Sequence, residues 1–250
     1  MNIGKGYMRF LLLSIVVNIG LFIVLLYISC VKTDLCYRAL SKMGIIEYNI
    51  TNNRHLIEIR CLEGWANSLS KQNIIADVAF YGNSITYESD FQKIFPQINI
   101  INFGCNRDDL DDLIHRSFLI KSVHPHKIFL LGGINSVINV PLEEFKHKYI
   151  ALVDTIRKDN PYAQLYLQSL LPVNVEMEIG SRYRDCQNKI KEANAIIKNI
   201  ALSKGCHFVD LYTVYQIDDL MPRKYTRDGL HLIPEAYSIW AKTIYPYLAE

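Results

Sequence analysis

Two kinds of apolar pattern alternate along this chain. Short, predominantly apolar runs occupy Ile74–Tyr81, Ile98–Phe103, Lys127–Leu131, Gln164–Leu171 and His207–Tyr212. Runs of that length bounded by turn residues predict strands. Between them, apolar residues recur every three or four positions, which predicts amphipathic helices. Helices are expected over His55–Lys71 (Ile59, Leu62, Trp65, Leu69), over Asp108–Lys121 (Leu110, Leu113, Ile114, Phe118) and after Pro141 (Phe145, Tyr149, Leu152, Val153, Ile156). Two more are expected over Tyr183–Lys204, ended by Gly205, and from Pro234 with Tyr237, Trp240 and Ile244 inward. Strands that are apolar throughout and separated by helices predict an α/β fold, with a five-stranded parallel sheet covered on both faces.

The first thirty residues break this pattern. Phe10–Ser29 is apolar apart from Ser14, Asn18 and Ser29, the length a helix needs to cross a bilayer. Lys5 and Arg9 precede it, so the amino terminus is expected in the cytoplasm and the rest outside. An uncleaved signal-anchor, a single transmembrane helix, is the expectation. A cleaved secretory peptide fits Tyr27-Ile28-Ser29 poorly, and a lipoprotein signal ending at Ser29-Cys30 has Tyr27 where leucine is usual. The anchor and lipoprotein readings both place the remainder at a membrane surface outside the cytosol. The expected organisation is an anchor or signal over 1–30, a polar tether over 31–53 and one domain over 54–250.

Composition narrows the chemistry. Half of the 250 residues are apolar, enough for one large core, and a net charge of +2 supplies no field for nucleic acid. The six cysteines (Cys30, Cys36, Cys61, Cys105, Cys186, Cys206) include no CxxC pair. No metal or other cofactor is therefore expected, and the cysteines read as free, mostly buried thiols. Asp108, Asp109, Asp111 and Asp112 crowd a predicted helix start, where carboxylates favour the positive end of the dipole; they read as caps.

Candidate chemistry lies where strands end. In such sheets ligands bind beyond the carboxyl ends of the strands, which puts Ser84, Gly104 and the Gly133–Asn135 turn on one rim. Ser84 follows the first strand in Gly82-Asn83-Ser84, a strand-to-helix corner that exposes a hydroxyl. A serine needs a base. Of seven histidines only His231 sits in a loop with a carboxylate, Asp228, three residues before it, so that one turn aims Asp228 at the imidazole. An oxyanion needs donors already in place. The Ser84 N–H, the Gly104 N–H and the Asn135 amide are the candidates, with ordinary turn chemistry as the other reading of Gly104 and Asn135.

These four blocks resemble the SGNH (GDSL-like) hydrolase superfamily. Gly82-Asn83-Ser84-Ile85-Thr86 is similar to block I and Asn102-Phe103-Gly104 to block II. Gly133-Ile134-Asn135 is similar to block III and Asp228-Gly229-Leu230-His231 to block V. The resemblance covers about Ile74–Leu248. It implies a three-layer, flavodoxin-like α/β/α sandwich and a metal-free serine esterase. Ser84 would be the nucleophile, His231 the base and Asp228 its orienter, and Ser84 N–H, Gly104 N–H and Asn135 would hold the oxyanion. Asn83 stands where the family usually has aspartate, and its amide is expected to brace the loop instead. Ser136 also replaces an aspartate, with modest loosening expected. Arg107, after Gly104, reads as a partner of the acidic helix start, or as a contact for an anionic substrate group.

The expected function is hydrolysis of carboxylic esters through an acyl-enzyme, first of small O-acyl (acetyl) groups on glycans, which a tethered exported domain can reach. Lysophospholipase or thioesterase action, acyl transfer by the same triad, and a catalytically silent binding domain of this fold are the other readings. The expected partners are an ester substrate and the membrane, with no nucleic acid.

Overall fold

The computed structural model describes residues 50–248. The expected anchor and most of the expected tether lie outside the described residues. Among these, no helix is long and apolar enough to cross a membrane. The chain divides into two compact units, residues 1–56 and 57–250, and the second holds the sheet.

In chain order the elements are α1 (Ile50–Lys71), β1 (Val78–Gly82), α2 (Ser84–Tyr87), α3 (Phe91–Ile94), β2 (Ile100–Gly104) and α4 (Leu110–Arg116). Next come β3 (Lys127–Leu131), α5 (Ile134–Val137), α6 (Leu142–Asp159), β4 (Gln164–Gln168) and α7 (Gln187–Ser203). The chain closes with β5 (His207–Val209), α8 (Leu211–Tyr215) and α9 (Tyr237–Leu248). Short 3₁₀ turns precede α7 and α9 and follow α4, so the helices expected from Tyr183, from Pro234 and up to Lys121 are each part 3₁₀. The first strand starts four residues later than expected. Ile74 N–H bonds Leu69 and Ala76 N–H bonds Val123, so this stretch is tied to helix ends and not to a neighbouring strand.

All four strand pairings are parallel, in the order β2-β1-β3-β4-β5. That is the flavodoxin-like order, and its direction of winding reverses between β1 and β3. Successive residues of each strand feed different cores. Ala79, Tyr81, Ile128, Leu130, Leu165 and Leu167 pack with α4, α6 and α7 on one face. Val78, Phe80, Phe129, Leu131 and Tyr166 pack with α3, α8 and α9 on the other, where Phe80 stacks on Phe129 and meets Trp240 edge-on. Continuous apolar runs in the sequence are the consequence.

A buried charge closes the carboxyl edge. Arg116, at the end of α4, is fully buried. Its guanidinium donates to Phe103 O at 2.7 Å and Gly82 O at 2.8 Å, pairs with Asp108, and lies 4.4 Å from the centre of the Tyr81 ring. Asp108 is therefore not a helix cap as expected: Asp109 is the N-cap of α4, with Asp112 completing a capping box, while Asp108 neutralises Arg116. Sequence pattern missed this pair because an arginine in the last turn of a helix reads as solvated. Replacing one member of a buried pair strands the other, at about 3–5 kcal/mol. Arg116→Leu is thus expected to lower the unfolding free energy of the full chain by about that amount, and Arg116→Leu/Asp108→Leu by less. Urea denaturation checks both.

Candidate active site

The corner after β1 places Ser84 where the sheet reverses. Asn83 caps α2 in extended conformation, its side-chain oxygen accepting from Ile85 N–H at 3.1 Å. Serine then takes the first helical position. Gly82 permits the turn, because a Cβ there would lie 2.1 Å from Leu131 O and 2.4 Å from Thr86 Oγ1.

His231 and Asp228 arrive on a tight loop before α9. Thr226 bridges to Leu232 in antiparallel fashion, Arg227 N–H donates to His231 O at 3.2 Å, and the Thr226 hydroxyl donates to the same carbonyl at 2.7 Å. Asp228 Oδ1 accepts from the N–H groups of Leu230 (3.0 Å) and His231 (2.8 Å), leaving Oδ2 for the imidazole. The segment after β4 holds this loop from outside: Ile179 and Gly180 N–H donate to Asp228 O, and Asn174 N–H donates to Gly229 O. Gly229 has φ +94°, and a Cβ there would lie 2.5 Å from Asn174 O.

Ser84, His231 and Asp228 meet. Ser84 Oγ lies 3.0 Å from His231 Nε2, and His231 Nδ1 lies 2.7 Å from Asp228 Oδ2. The carboxylate accepts the Nδ1 proton, which leaves the Nε2 lone pair facing the serine hydroxyl. Burial opposes the charge on Asp228. The backbone N–H of His231, its ring and the N–H of Leu230 outweigh that burial and hold the carboxyl below its usual range.

The oxyanion candidates fare differently. Ser84 N–H lies in the first turn of α2, where no helical carbonyl reaches it. One Asn135 amide hydrogen goes to Asp108 O at 2.9 Å, which fixes the group and leaves its second hydrogen for a ligand. Gly104 departs from expectation: its N–H already donates to Asn102 Oδ1 at 2.8 Å. The missing side chain serves packing instead, since a Cβ would sit 2.2 Å from Tyr87 N and 2.7 Å from Thr86 C, beneath the nucleophile helix. Arg107, in the turn that follows, holds φ +67°, a left-handed value that favours glycine. Ser136 does the bracing expected of an aspartate, its hydroxyl accepting from Leu110 N–H at 2.9 Å.

Among the described cysteines, Cys61, Cys105, Cys186 and Cys206 are thiols, Cys105 buried and Cys61 exposed. Burial pushes the Cys105 thiol far above its ordinary value, so it stays protonated beside the site.

A serine, a histidine and a carboxylate in hydrogen-bonding sequence on the carboxyl rim of a parallel sheet define the class of serine hydrolases. A model of the GDSL-like Lipase/Acylhydrolase family matches residues 75–239, and this chain belongs to that family. No curated protein matches it. Solved structures do. A protein described as a candidate platelet activating factor from Streptococcus pneumonia is 25% identical, with TM-score 0.71, covering 80% of this chain and 96% of its own. A GDSL-like lipase from Bacteroides thetaiotaomicron is 20% identical, with TM-score 0.65 and coverage of 77% and 98%. A catalytic mutant of an acetylxylan esterase from Geobacillus stearothermophilus is 18% identical, with TM-score 0.55 and coverage of 70% and 96%.

Two outcomes follow from this geometry. A methyl group at Gly104 must displace the end of α2, at Thr86 and Tyr87, so Gly104→Ala is expected to cost about 1–3 kcal/mol in a thermal or urea melt. A pure loss of kcat with an unchanged melt would return Gly104 to the oxyanion hole. For Asp228, the folded pKa lies below the unfolded value of 3.8. Its contribution to stability is therefore fully present above that value and is lost as pH falls from there through the lower folded value. The difference in melting temperature between wild type and Asp228→Asn is expected to be full above about pH 5 and to shrink below that, read from melts between pH 3 and 7.

Proposed function

We propose that this protein is a serine esterase that acts through an acyl-enzyme. The observation that carries the reading is the relay Ser84–His231–Asp228, with contacts of 3.0 and 2.7 Å. The Ser84 hydroxyl adds to the ester carbonyl as its proton passes to His231 Nε2, and Asp228 stabilises the imidazolium. Ser84 N–H and Asn135 Nδ2 carry the oxyanion. Collapse expels the alcohol, which takes the proton from His231. Water then adds to the acyl-serine with His231 as base, releasing the carboxylic acid and restoring Ser84.

The substrate reading is small O-acyl groups, acetyl first, on glycans. Its support is an open rim rich in polar side chains (Glu88, Asn106, Arg107, Asn139, Arg227) and a sequence that starts with an apolar segment fit to hold the domain at an external membrane surface. One specific observation favours a second reading, a longer-chain lysophospholipid. Tyr87, at the end of α2, and Ile138, just past α5, are exposed next to catalytic elements.

A fluorophosphonate probe on the full chain tests the chemistry. Labelling between pH 6 and 9 that disappears in Ser84→Ala is the expected result, and an unlabelled wild type leaves the silent binding domain standing. Against p-nitrophenyl acetate, Ser84→Ala and His231→Ala are expected to lose at least about 10³-fold in kcat. Asn135→Ala is expected to lose about 10²–10³-fold, and a loss of tenfold or less would remove it from the oxyanion hole. Acetyl against long-acyl esters then separates the two substrate readings.

A further inference from the structure

We infer that Arg227 and Glu88, neither of which touches the reacting atoms, are a positioning pair that sets the distance between nucleophile and base. The inference rests on the esterase reading above. Both oxygens of Glu88 accept from Arg227, Nη1 to Oε2 at 2.8 Å and Nη2 to Oε1 at 2.6 Å, the fork-to-carboxylate geometry that fixes direction as well as distance. The two residues are 139 positions apart in sequence. Each is joined by main-chain hydrogen bonds to one half of the triad. Glu88 closes α2, its N–H donating to Ser84 O at 3.0 Å. Arg227 donates its own N–H to His231 O at 3.2 Å.

These contacts form a closed ring. It runs from Ser84 O to the Glu88 N–H, across the fork to Arg227, through the Arg227 N–H to His231 O, and back across the 3.0 Å gap from Nε2 to Ser84 Oγ. Three of the four links are main-chain contacts or the reacting contact itself. Apart from the reacting contact itself, the fork is the side-chain link of the ring, and it joins the helix that carries Ser84 to the loop that carries His231. Burial does not explain it, because half of the Arg227 side chain is exposed. An ordinary exposed ion pair contributes little to stability, so the fold does not require this one. A second tie, from the Tyr237 hydroxyl to Ile85 O at 2.8 Å, already holds α9 to α2. The fork instead controls where the loop sits along the rim, and misplacing a catalytic group by even 1 Å is costly to the rate. It also restrains a cation: Arg227 Nε lies 3.7 Å from Asp228 Oδ2, the oxygen that His231 uses. With Glu88 holding the two Nη groups, Nε stays 3.7 Å from that oxygen, beyond hydrogen-bond distance, while the imidazole bonds it at 2.7 Å.

The test compares the full chain with Arg227→Ala, Arg227→Lys, Glu88→Ala and the double variant Arg227→Ala/Glu88→Ala, using p-nitrophenyl acetate turnover and the fluorophosphonate labelling rate. Each alanine single is expected to lower kcat and the labelling rate about tenfold, with KM within twofold and the melting temperature unchanged. The double is expected to be no worse than the worse single, because the residues act through one link, and lysine, which keeps charge but not the fork, is expected to recover only part of the loss. Singles within twofold of wild type, an additive double, or a loss confined to KM would overturn the pair. A measurement independent of turnover separates this from failure of the esterase reading. In ¹⁵N-histidine-labelled full chain, the downfield proton between His231 Nδ1 and Asp228 is identified by its loss in His231→Gln. It is expected to weaken or shift in Arg227→Ala and Glu88→Ala, whether or not the wild type turns over ester. An unchanged resonance in both counts against the proposal.

Discussion

Where the strands of a parallel sheet run out, their last carbonyls reach past the ladder, and here one buried guanidinium gathers two of them, sharing Gly82 O with the Cys105 N–H at 3.0 Å. Arg116 takes the carbonyls of Gly82 and Phe103 at the ends of β1 and β2, and Asp108 carries the counter-charge. Buried main-chain oxygens need partners, and here the partner binds the two strand ends to the turn that follows β2. That turn holds Asp108, whose carbonyl anchors the Asn135 amide. The nucleophile corner, the turn after β2 and the Asn135 turn after β3 are thus fixed relative to one another by a group that never meets solvent.

The base comes from the far end of the chain. Ser84 and His231 are 147 residues apart in sequence and meet at 3.0 Å on the carboxyl rim of the sheet. The loop that carries His231 is pinned on both sides by apolar contact, Leu230 in one core and Leu232 in the other. Hydrogen bonds also shape it: Asp228 Oδ1 folds the loop on itself, and the segment after β4 grips Asp228 O and Gly229 O from the other side. Gly180 and Gly229 face each other because backbone approaches backbone there, and a Cβ on Gly180 would lie 2.0 Å from Asn174 O. A carboxylate already bonded to two backbone N–H groups does not need the imidazole to hold it in place, and that leaves it free to hold the imidazole.

Much of this was legible in the sequence. Strand β3 falls at Lys127–Leu131 as its apolar run predicts, and the five parallel strands follow from runs apolar on both faces. The candidate triad could be proposed because each member stands at a break in the pattern, where packing alone gives no reason for a serine or an Asp-x-x-His. Arg116, Glu88 and Arg227 were not legible in these roles. Helical periodicity reports which face is apolar, and a charged residue at a helix end looks solvated whether or not a carboxylate eight residues away is buried with it. Gly104 shows the converse limit. The backbone of Tyr87 leaves no room for a Cβ there, and sequence gives the glycine without the neighbour that requires it. The Glu88–Arg227 fork joins residues 139 apart, a distance at which spacing carries no signal.

Asn83 is where the family pattern and this chain differ closest to the chemistry, and the geometry shows why the difference is tolerable. The duty at that position is to accept a hydrogen bond from Ile85 N–H and so start the helix that presents Ser84. One oxygen suffices for that, and an amide has one. What the amide adds is a nitrogen that is fully buried and, among the described residues, without an acceptor. An unpaired buried donor costs about 1–3 kcal/mol. An aspartate would remove that donor, but it would put a buried negative charge beside Ser84, which the proposed mechanism drives toward an alkoxide. Asparagine thus exchanges some stability for a neutral neighbour at the nucleophile. The relay of Ser84, His231 and Asp228 remains intact at its observed distances, with nothing in its hydrogen bonding that requires the aspartate.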